Sequence, residues 1–259
     1  MTYRHALITG ASSGIGTAFA RALPRSTGLL LTGRDRERLA QLAAELALND
    51  RPVRTIAADL STAEGRRALI HAAEEQPIDL LINNAGLGWL GPVADNPPER
   101  EAEMVQVNAA APIELTRALL PGMIRRARER NERCGIIFVA SAAAFMPVPL
   151  FATYAASKAF LLHYAEALAE ELGNAPVDVL ALCPSATRTR FFERANVASA
   201  GVPTSPHEPE RVAREGLQSL GRRVVHVVGP GTYLATAAAR FLPRRLVAAA
   251  AERAMRRWQ

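Results

Sequence analysis

A doubly wound, parallel α/β sheet of about seven strands, with helices on both faces, is the fold this sequence predicts. Three observations carry that expectation. Short apolar runs alternate with helical stretches along the chain, and the runs are continuously apolar rather than alternating with polar residues, as in a sheet buried on both faces. The first run breaks into a glycine-rich turn that opens a helix. Gly10, Asn84, Ser141 and Pro184 fall at the ends of four different runs, and a parallel sheet brings those ends to one edge.

Residues Arg4 to Thr9 contain the apolar run Ala6, Leu7, Ile8 and form the first strand, broken at Gly10, with a helix expected over Ala18 to Leu23. Leu29 to Leu31 is the second strand, followed by a charged helix from Asp35 to about Leu48. Val53 to Ala57 is the third; Ser61 is expected to cap a helix running to Glu75, with Glu64 at the capping-box position. Ile78 to Ile82 is the fourth strand, stopped by Asn83, Asn84, Ala85 and Gly86. A long helix is expected from Pro98 to about Arg130, kinked or broken at Pro112 and Pro121. Ile136 to Ala140 is the fifth strand, Thr153 to Leu172 a helix closed by Gly173, and Val177 to Leu182 the sixth strand. Glu208 to Leu220 reads as helix and Val224 to Val228 as a seventh, edge strand. No linker, repeat or low-complexity segment divides residues 1–259, so a single domain is expected.

Composition bounds the function. The 49% apolar content is ample for a large core, and no run of about 18 apolar residues suggests a membrane span. The N-terminus lacks the pattern of a signal peptide, so cytoplasmic residence is the expectation. Cys134 and Cys183, beside or inside apolar runs and not in metal-ligand spacing with the histidines, read as core thiols; no metal is expected. The net charge of +6 lies mainly in Arg125 to Arg133 and the C-terminal tail, with no basic stripe interleaved with aromatics, which argues against nucleic-acid binding.

Two motifs carry chemistry. In Gly10, Ala11, Ser12, Ser13, Gly14, Ile15, Gly16, the glycines allow a tight turn and close backbone approach, and the helix N-terminus offers N–H groups to phosphates. The second is Ser141, then Tyr154 and Lys158, four residues apart and on one face of a helix. An ammonium beside a phenol favours the phenolate, so it lowers a pKa of about 10 and lets the tyrosine exchange protons near neutrality. Lys158 is the only lysine among 30 arginines; a compact ammonium on a flexible stem is a different tool from a planar guanidinium.

The spacing G-x-x-x-G-x-G, with Asn83 to Gly86, Asn108, Ser141, Tyr154 and Lys158, resembles the short-chain dehydrogenase/reductase family over roughly Ala6 to Thr189. The resemblance implies a Rossmann-like fold and hydride transfer between a nicotinamide and a carbonyl or secondary alcohol. It implies that Tyr154 exchanges the proton, Ser141 fixes the substrate oxygen, Lys158 tunes the tyrosine and holds the nicotinamide ribose, and Asn108 holds a water linking Lys158 to solvent. Cofactor contacts follow at Gly10, Ser12, Ser13, Gly14, Ile15 and Gly16, at Asp59 and Leu60 beside the adenine, and at Asn84, Ala85 and Gly86 under the ribose. Pro184, Thr187 and Thr189, after the sixth strand, complete them. The second strand ends in Thr32, Gly33, Arg34 with no acid at Gly33; Arg34 can pair with a 2′-phosphate, so NADP(H) is expected. Asp35, one residue on, keeps NAD(H) as the alternative. Pro184-Ser185 departs from the family's Pro-Gly.

Residues 188–209, with Phe191 and Phe192, are expected to form a lid over a hydrophobic small-molecule substrate, with Leu87, Trp89, Leu90, Val148, Leu150 and Phe151 adding apolar surface. Residues 232–258, Ala-rich with six arginines, read as a helical extension: either a basic amphipathic helix lying on a membrane or an arginine-rich face packed on its own domain or on a partner copy. A homodimer or homotetramer is the expected assembly. The competing functional class is a sensor or scaffold that binds NADP without turnover.

Overall fold

Each buried strand of this chain presents alternate residues to two different helix layers, which is why its sequence is apolar throughout. The computed structural model describes residues 3–47, 51–197 and 206–258. Seven strands, β1 (His5–Thr9), β2 (Gly28–Gly33), β3 (Val53–Ala57), β4 (Leu80–Asn83), β5 (Cys134–Val139), β6 (Val177–Cys183) and β7 (Val225–Val227), form one parallel sheet in the order β3-β2-β1-β4-β5-β6-β7. On one face Leu7, Leu30, Leu81, Ile136 and Phe138 share a core. On the other, Ile8, Leu31, Ile82, Ile137 and Leu182 share a second.

Helices α1 (Gly14–Ala22), α2 (Arg36–Leu46) and α8 (Pro209–Ser219) cover the second core, α1 packing on α8 and α2. The first core lies under α3 (Ala63–Glu74), α5 (Ala111–Arg130) and α6 (Ala152–Leu172). Leu48, the expected end of α2, lies outside the described residues, and the helix ends at Leu46. Gly173 closes α6 as expected, with φ +48°.

Two expectations are corrected and a third is refined. Thr62, not Ser61, caps α3: its hydroxyl accepts from Gly65 N at 3.0 Å, because the Asp59 carboxylate already holds Ser61 through its N–H (3.0 Å) and hydroxyl (2.8 Å). The long helix is interrupted not at Pro112 or Pro121 but by a π turn, Gln106–Ala110, between α4 (Pro98–Val105) and α5. Pro112 falls in the first turn of α5, where its missing N–H is tolerated, and α5 runs through Pro121. The C-terminal extension is two helices, α9 (Pro230–Ala239) and α10 (Arg244–Met255), because Pro243 cannot continue a helix and instead caps the second. Of the expected lid, residues 198–205 lie outside the described residues; the rest includes the short helix α7 (Phe191–Arg194).

Candidate active site

The strand order reverses between β1 and β4, and a parallel sheet opens a crevice at that point. Thr9 ties the two strand ends together: its hydroxyl accepts from the backbone N–H of Asn84 and of Ala85, both at 2.9 Å. The Asn84 amide donates back to the carbonyls of Thr9 (2.8 Å) and Gly10 (3.3 Å). Gly10 has φ +66°, and a Cβ there would meet Ala85 Cα at 2.9 Å, so neither the turn nor the approach admits a side chain. Gly14, at φ +58°, lies under Thr189, whose Cγ2 would be 2.6 Å from an added Cβ. Ser13 begins α1 without a side-chain cap, and no acidic residue occupies the first turn. That leaves the first N–H groups and the positive end of the helix dipole for an anion.

A cleft of about 910 Å³ runs from this turn across the carboxyl ends of the strands. At one end lie Arg34, Asp35, Asp59, Leu60 and Arg194. Asp35 is committed elsewhere: its carboxylate caps α2 through Arg38 N (3.1 Å) and pairs with the Arg38 guanidinium at 3.1 Å. Arg34 is exposed and free to turn toward a ligand. Burial, followed by the neighbouring cations Arg190, Arg34 and Arg38, lowers the pKa of Arg194, so four guanidiniums gather here, of which Arg34 and Arg194 line the cleft. Burial alone would raise the Asp59 carboxyl, but the Ser61 hydrogen bonds and the Arg34 charge hold it below its usual range.

At the centre, Ser141 leaves β5 and Tyr154 and Lys158 rise from α6; all three line the cleft. Ser141 Oγ accepts from Ala143 N at 3.1 Å, and so begins the 3₁₀ turn Ala142–Phe145. Lys158 is only 3% exposed, donates to the Val139 carbonyl at 2.8 Å, and lies 5.8 Å from the Tyr154 ring centroid. The expected lowering of the tyrosine pKa is not what this geometry gives. Burial pushes Tyr154 up to about 12, with a hydrogen bond shared with Ser141 pulling the other way, and burial pushes Lys158 down to about 8. Spacing put the pair on one face, but desolvation disfavours the charged form of both.

Asn108, fully buried in the π turn, stands one layer behind the cleft. Its Oδ1 accepts from Leu87 N (2.8 Å), and its Nδ2 donates to the Leu87 carbonyl (2.8 Å) and Ser157 Oγ (2.9 Å). Ser157 in turn donates to the Tyr154 carbonyl at 2.7 Å. The side chain thus fastens the loop after β4 to the turn of α6 that carries the tyrosine, and its hydrogen-bonding groups are spent on protein.

The far end is apolar. The Tyr154 ring lies 4.4 Å from Phe151 and 5.2 Å from Phe191, centroid to centroid, and Phe192 meets Trp258 edge-on at 5.5 Å. Gly88 lets this wall close, since an added Cβ would sit 2.5 Å from Phe191 and 2.8 Å from Phe151. Ala251, Ala254, Met255 and Trp258 line the same end, so the C-terminal extension folds back over the cleft.

The cleft therefore gathers Gly10, Ser12, Ser13, Gly14, Ile15, Arg34, Asp59, Leu60, Asn84, Ala85, Gly86, Ser141, Tyr154, Lys158, Pro184, Thr187 and Thr189. Gly16 and Asn108 support it from behind. Ser185 takes no positive φ, so the departure from Pro-Gly costs the backbone nothing. Sequence reasoning missed Thr9, Arg194, Ser157 and Trp258. Thr9 was readable as a hydroxyl ending the first strand; the others reach the site only through tertiary folding.

The sequence profile described as short chain dehydrogenase matches residues 4–199. The chain belongs to the short chain dehydrogenase family. Within that family it is 35% identical over 225 residues to a very-long-chain 3-oxoacyl-CoA reductase of Phaeosphaeria nodorum, covering 84% of this chain and 63% of the relative. The chain thus spans about six tenths of the length of such relatives. Among solved structures, a short-chain dehydrogenase from Sphingobium yanoikuyae in complex with NADPH superposes with a TM-score of 0.80 at 29% identity, covering 92% of this chain and 93% of that one. A 3-ketoacyl-(acyl-carrier-protein) reductase from Brucella melitensis complexed with NADH gives 0.76 at 28%, covering 88% and 98%.

Proposed function

We propose that this short chain dehydrogenase is an NADP(H)-dependent reductase of hydrophobic carbonyl compounds, with 3-oxoacyl thioesters the first class to try. The observation that carries it is the placement of Ser141, Tyr154 and Lys158 between a glycine turn that opens an uncapped helix and an aromatic pocket. The names of the relatives, 3-oxoacyl-CoA and 3-ketoacyl reductases, support the substrate class.

The residues present fit a dinucleotide. The uncapped start of α1 and the bare backbone at Gly10 and Gly14 would hold the diphosphate, and Arg34 with Arg194 would meet a 2′-phosphate. Asp35 is committed to Arg38, which favours NADP(H) over NAD(H). Asn84, Ala85 and Gly86 would lie under the ribose. When bound, the nicotinamide supplies or accepts the hydride.

The chain's own residues handle the proton. Ser141 would donate a hydrogen bond to the carbonyl oxygen and fix its position; Tyr154 would give that oxygen a proton in reduction or remove it in oxidation. A phenol held near 12 stays protonated at neutral pH; a ribose hydroxyl accepting from Lys158 would favour the charged ammonium, whose field would draw the phenol pKa down. Proton resupply would run from Lys158 through a water on the Asn108 carbonyl. Pro112 stands four residues after Asn108 and has no N–H, so that carbonyl lacks its ordinary helical donor.

The test is a screen of aldehydes, ketones and 3-oxoacyl thioesters with NADPH and with NADH, following the absorbance of the reduced nucleotide. Turnover with NADPH on thioesters or bulky ketones is expected; turnover with none of them, despite nucleotide binding, would point instead to a binding protein without chemistry.

A further inference from the structure

Among the described residues, exposed large apolar side chains concentrate on the C-terminal pair of helices, α9 and α10. Eight large apolar side chains are exposed among the described residues, and five of them (Tyr233, Leu234, Phe241, Leu242 and Leu246) lie within fourteen consecutive positions. Phe241 is 89% exposed, Leu234 67% and Leu246 63%, and every residue from 241 to 246 is exposed. Tyr233 and Leu234 lie on α9, Phe241 and Leu242 on the corner before Pro243, and Leu246 in the first turn of α10. None of the five is buried on the protein's own domain; the extension's inward contacts are made instead by Thr236, Arg240, Val247, Ala251, Ala254, Met255 and Trp258.

The same segment is strongly cationic. Residues 230–258 hold six arginines and one acid, Glu252, so five of the chain's six net positive charges are concentrated there. Glu252 is paired with Arg256 at 2.7 Å. Among the described residues Arg244, Arg245, Arg253 and Arg257 have no carboxylate partner. Arg240 lies over the Phe145 ring at 5.3 Å and so tethers the hairpin to the turn that follows Ser141.

We propose that α9, α10 and the corner between them form a docking surface for an anionic lipid bilayer. Exposed aromatic and aliphatic side chains flanked by unpaired guanidiniums suit the headgroup boundary, where apolar residues enter and cations meet lipid phosphates. Neither helix is long and apolar enough to cross a membrane, so the element lies on the surface. A second copy of the chain is the poorer occupant, because a symmetric contact would set this cationic cluster against itself. α10 and the turn after it line the apolar end of the cleft through Ala251, Ala254, Met255 and Trp258, so docking would bring the cleft mouth to the source of long-chain substrates. The surface stands on exposure and charge and does not depend on the reductase assignment.

The experiment is sedimentation of the full chain with vesicles of phosphatidylcholine alone or mixed with phosphatidylserine at roughly two to one. Wild type is expected to sediment with the mixed vesicles at low salt and far less with pure phosphatidylcholine. Arg244→Gln with Arg245→Gln should weaken partitioning by about 25-fold, fivefold per arginine. Phe241→Gln with Leu242→Gln and Leu246→Gln should weaken it by about tenfold or more at unchanged charge. All five positions are exposed, so the melting curve and turnover of a short soluble ketone should match wild type in both variants. A wild type that stays in the supernatant at low salt overturns the proposal. So does a loss confined to the arginine variant, which would mark simple polyanion attraction, and so does a change of oligomeric state in the apolar variant with vesicle binding intact, which would give the face to a second copy.

Discussion

Replacing Lys158 by methionine should make the protein more stable at neutral pH while ending its chemistry. Lys158 is 3% exposed and burial holds it at about 8 against an ordinary 10.5. The folded pKa lies below the unfolded one, so between those two values the unfolded chain binds more protons and stability rises with pH. Below about pH 8 the whole cost of burying the ammonium is present, about 3 kcal/mol at 1.36 kcal/mol per pKa unit. Methionine has similar length and no charge, but it removes the 2.8 Å donor to the Val139 carbonyl, a loss of about 1 kcal/mol. The net gain is then about 2 kcal/mol at pH 7, shrinking to under about 0.5 kcal/mol at about pH 9.5, where most of the wild-type cost has already faded. Urea unfolding of both proteins without added nucleotide, followed by circular dichroism at the two pH values, measures the difference; other titrating groups cancel because both proteins share them. A variant less stable than wild type at pH 7, or a difference that does not change with pH, would refute the claim that folding forces this ammonium into a dry site. A costly residue retained at a cleft is what a functional site looks like.

Three further outcomes follow from the cleft's geometry. Arg34→Glu should weaken NADPH binding by about tenfold or more while leaving NADH binding within a few-fold, measured by fluorescence titration, because it removes a guanidinium and adds a like charge to the 2′-phosphate. Gly14→Ala should destabilise the fold by about 1–2 kcal/mol, the cost of a side chain in the left-handed region, and displace Thr189, raising the Kd for either nucleotide in the same titration. Trp258→Ala opens the wall behind Phe192; KM for long-chain 3-oxoacyl thioesters should rise about tenfold, with short substrates nearly unaffected, on steady-state kinetics.

The strands and the nucleotide turn were legible because their signals are local: an apolar run, a break, a glycine where φ must be positive. The convergence of Gly10, Asn84, Ser141 and Pro184 was legible too, since parallel strands all end at one edge. Three features were not. The helix break was assigned to the prolines, yet it lies at the π turn, where Asn108 must reach both Leu87 and Ser157; a pattern of neighbours in sequence does not contain partners 21 and 49 residues away. The direction of the Tyr154 shift depends on how dry the site is, which spacing alone does not reveal. The C-terminal segment was read for its charge, and its return to the cleft through Met255 and Trp258 depends on the turn at Pro243 and on contacts with α7. Arg194 was hidden for the same reason: its approach to Arg34 and Arg38 exists only once the chain has crossed from β6 back toward β2.

The most direct test of the proposed chemistry is Tyr154→Phe, which deletes one oxygen and keeps the ring against Phe151 and Phe191. NADPH binding by titration should stay within a few-fold of wild type, and the melting temperature should hold. Turnover of a 3-oxoacyl thioester that the wild type reduces should fall by about 10² to 10⁴, the ordinary worth of a positioned proton donor. A variant that keeps wild-type turnover with the same substrate would remove Tyr154 from the reaction and with it the proposed mechanism.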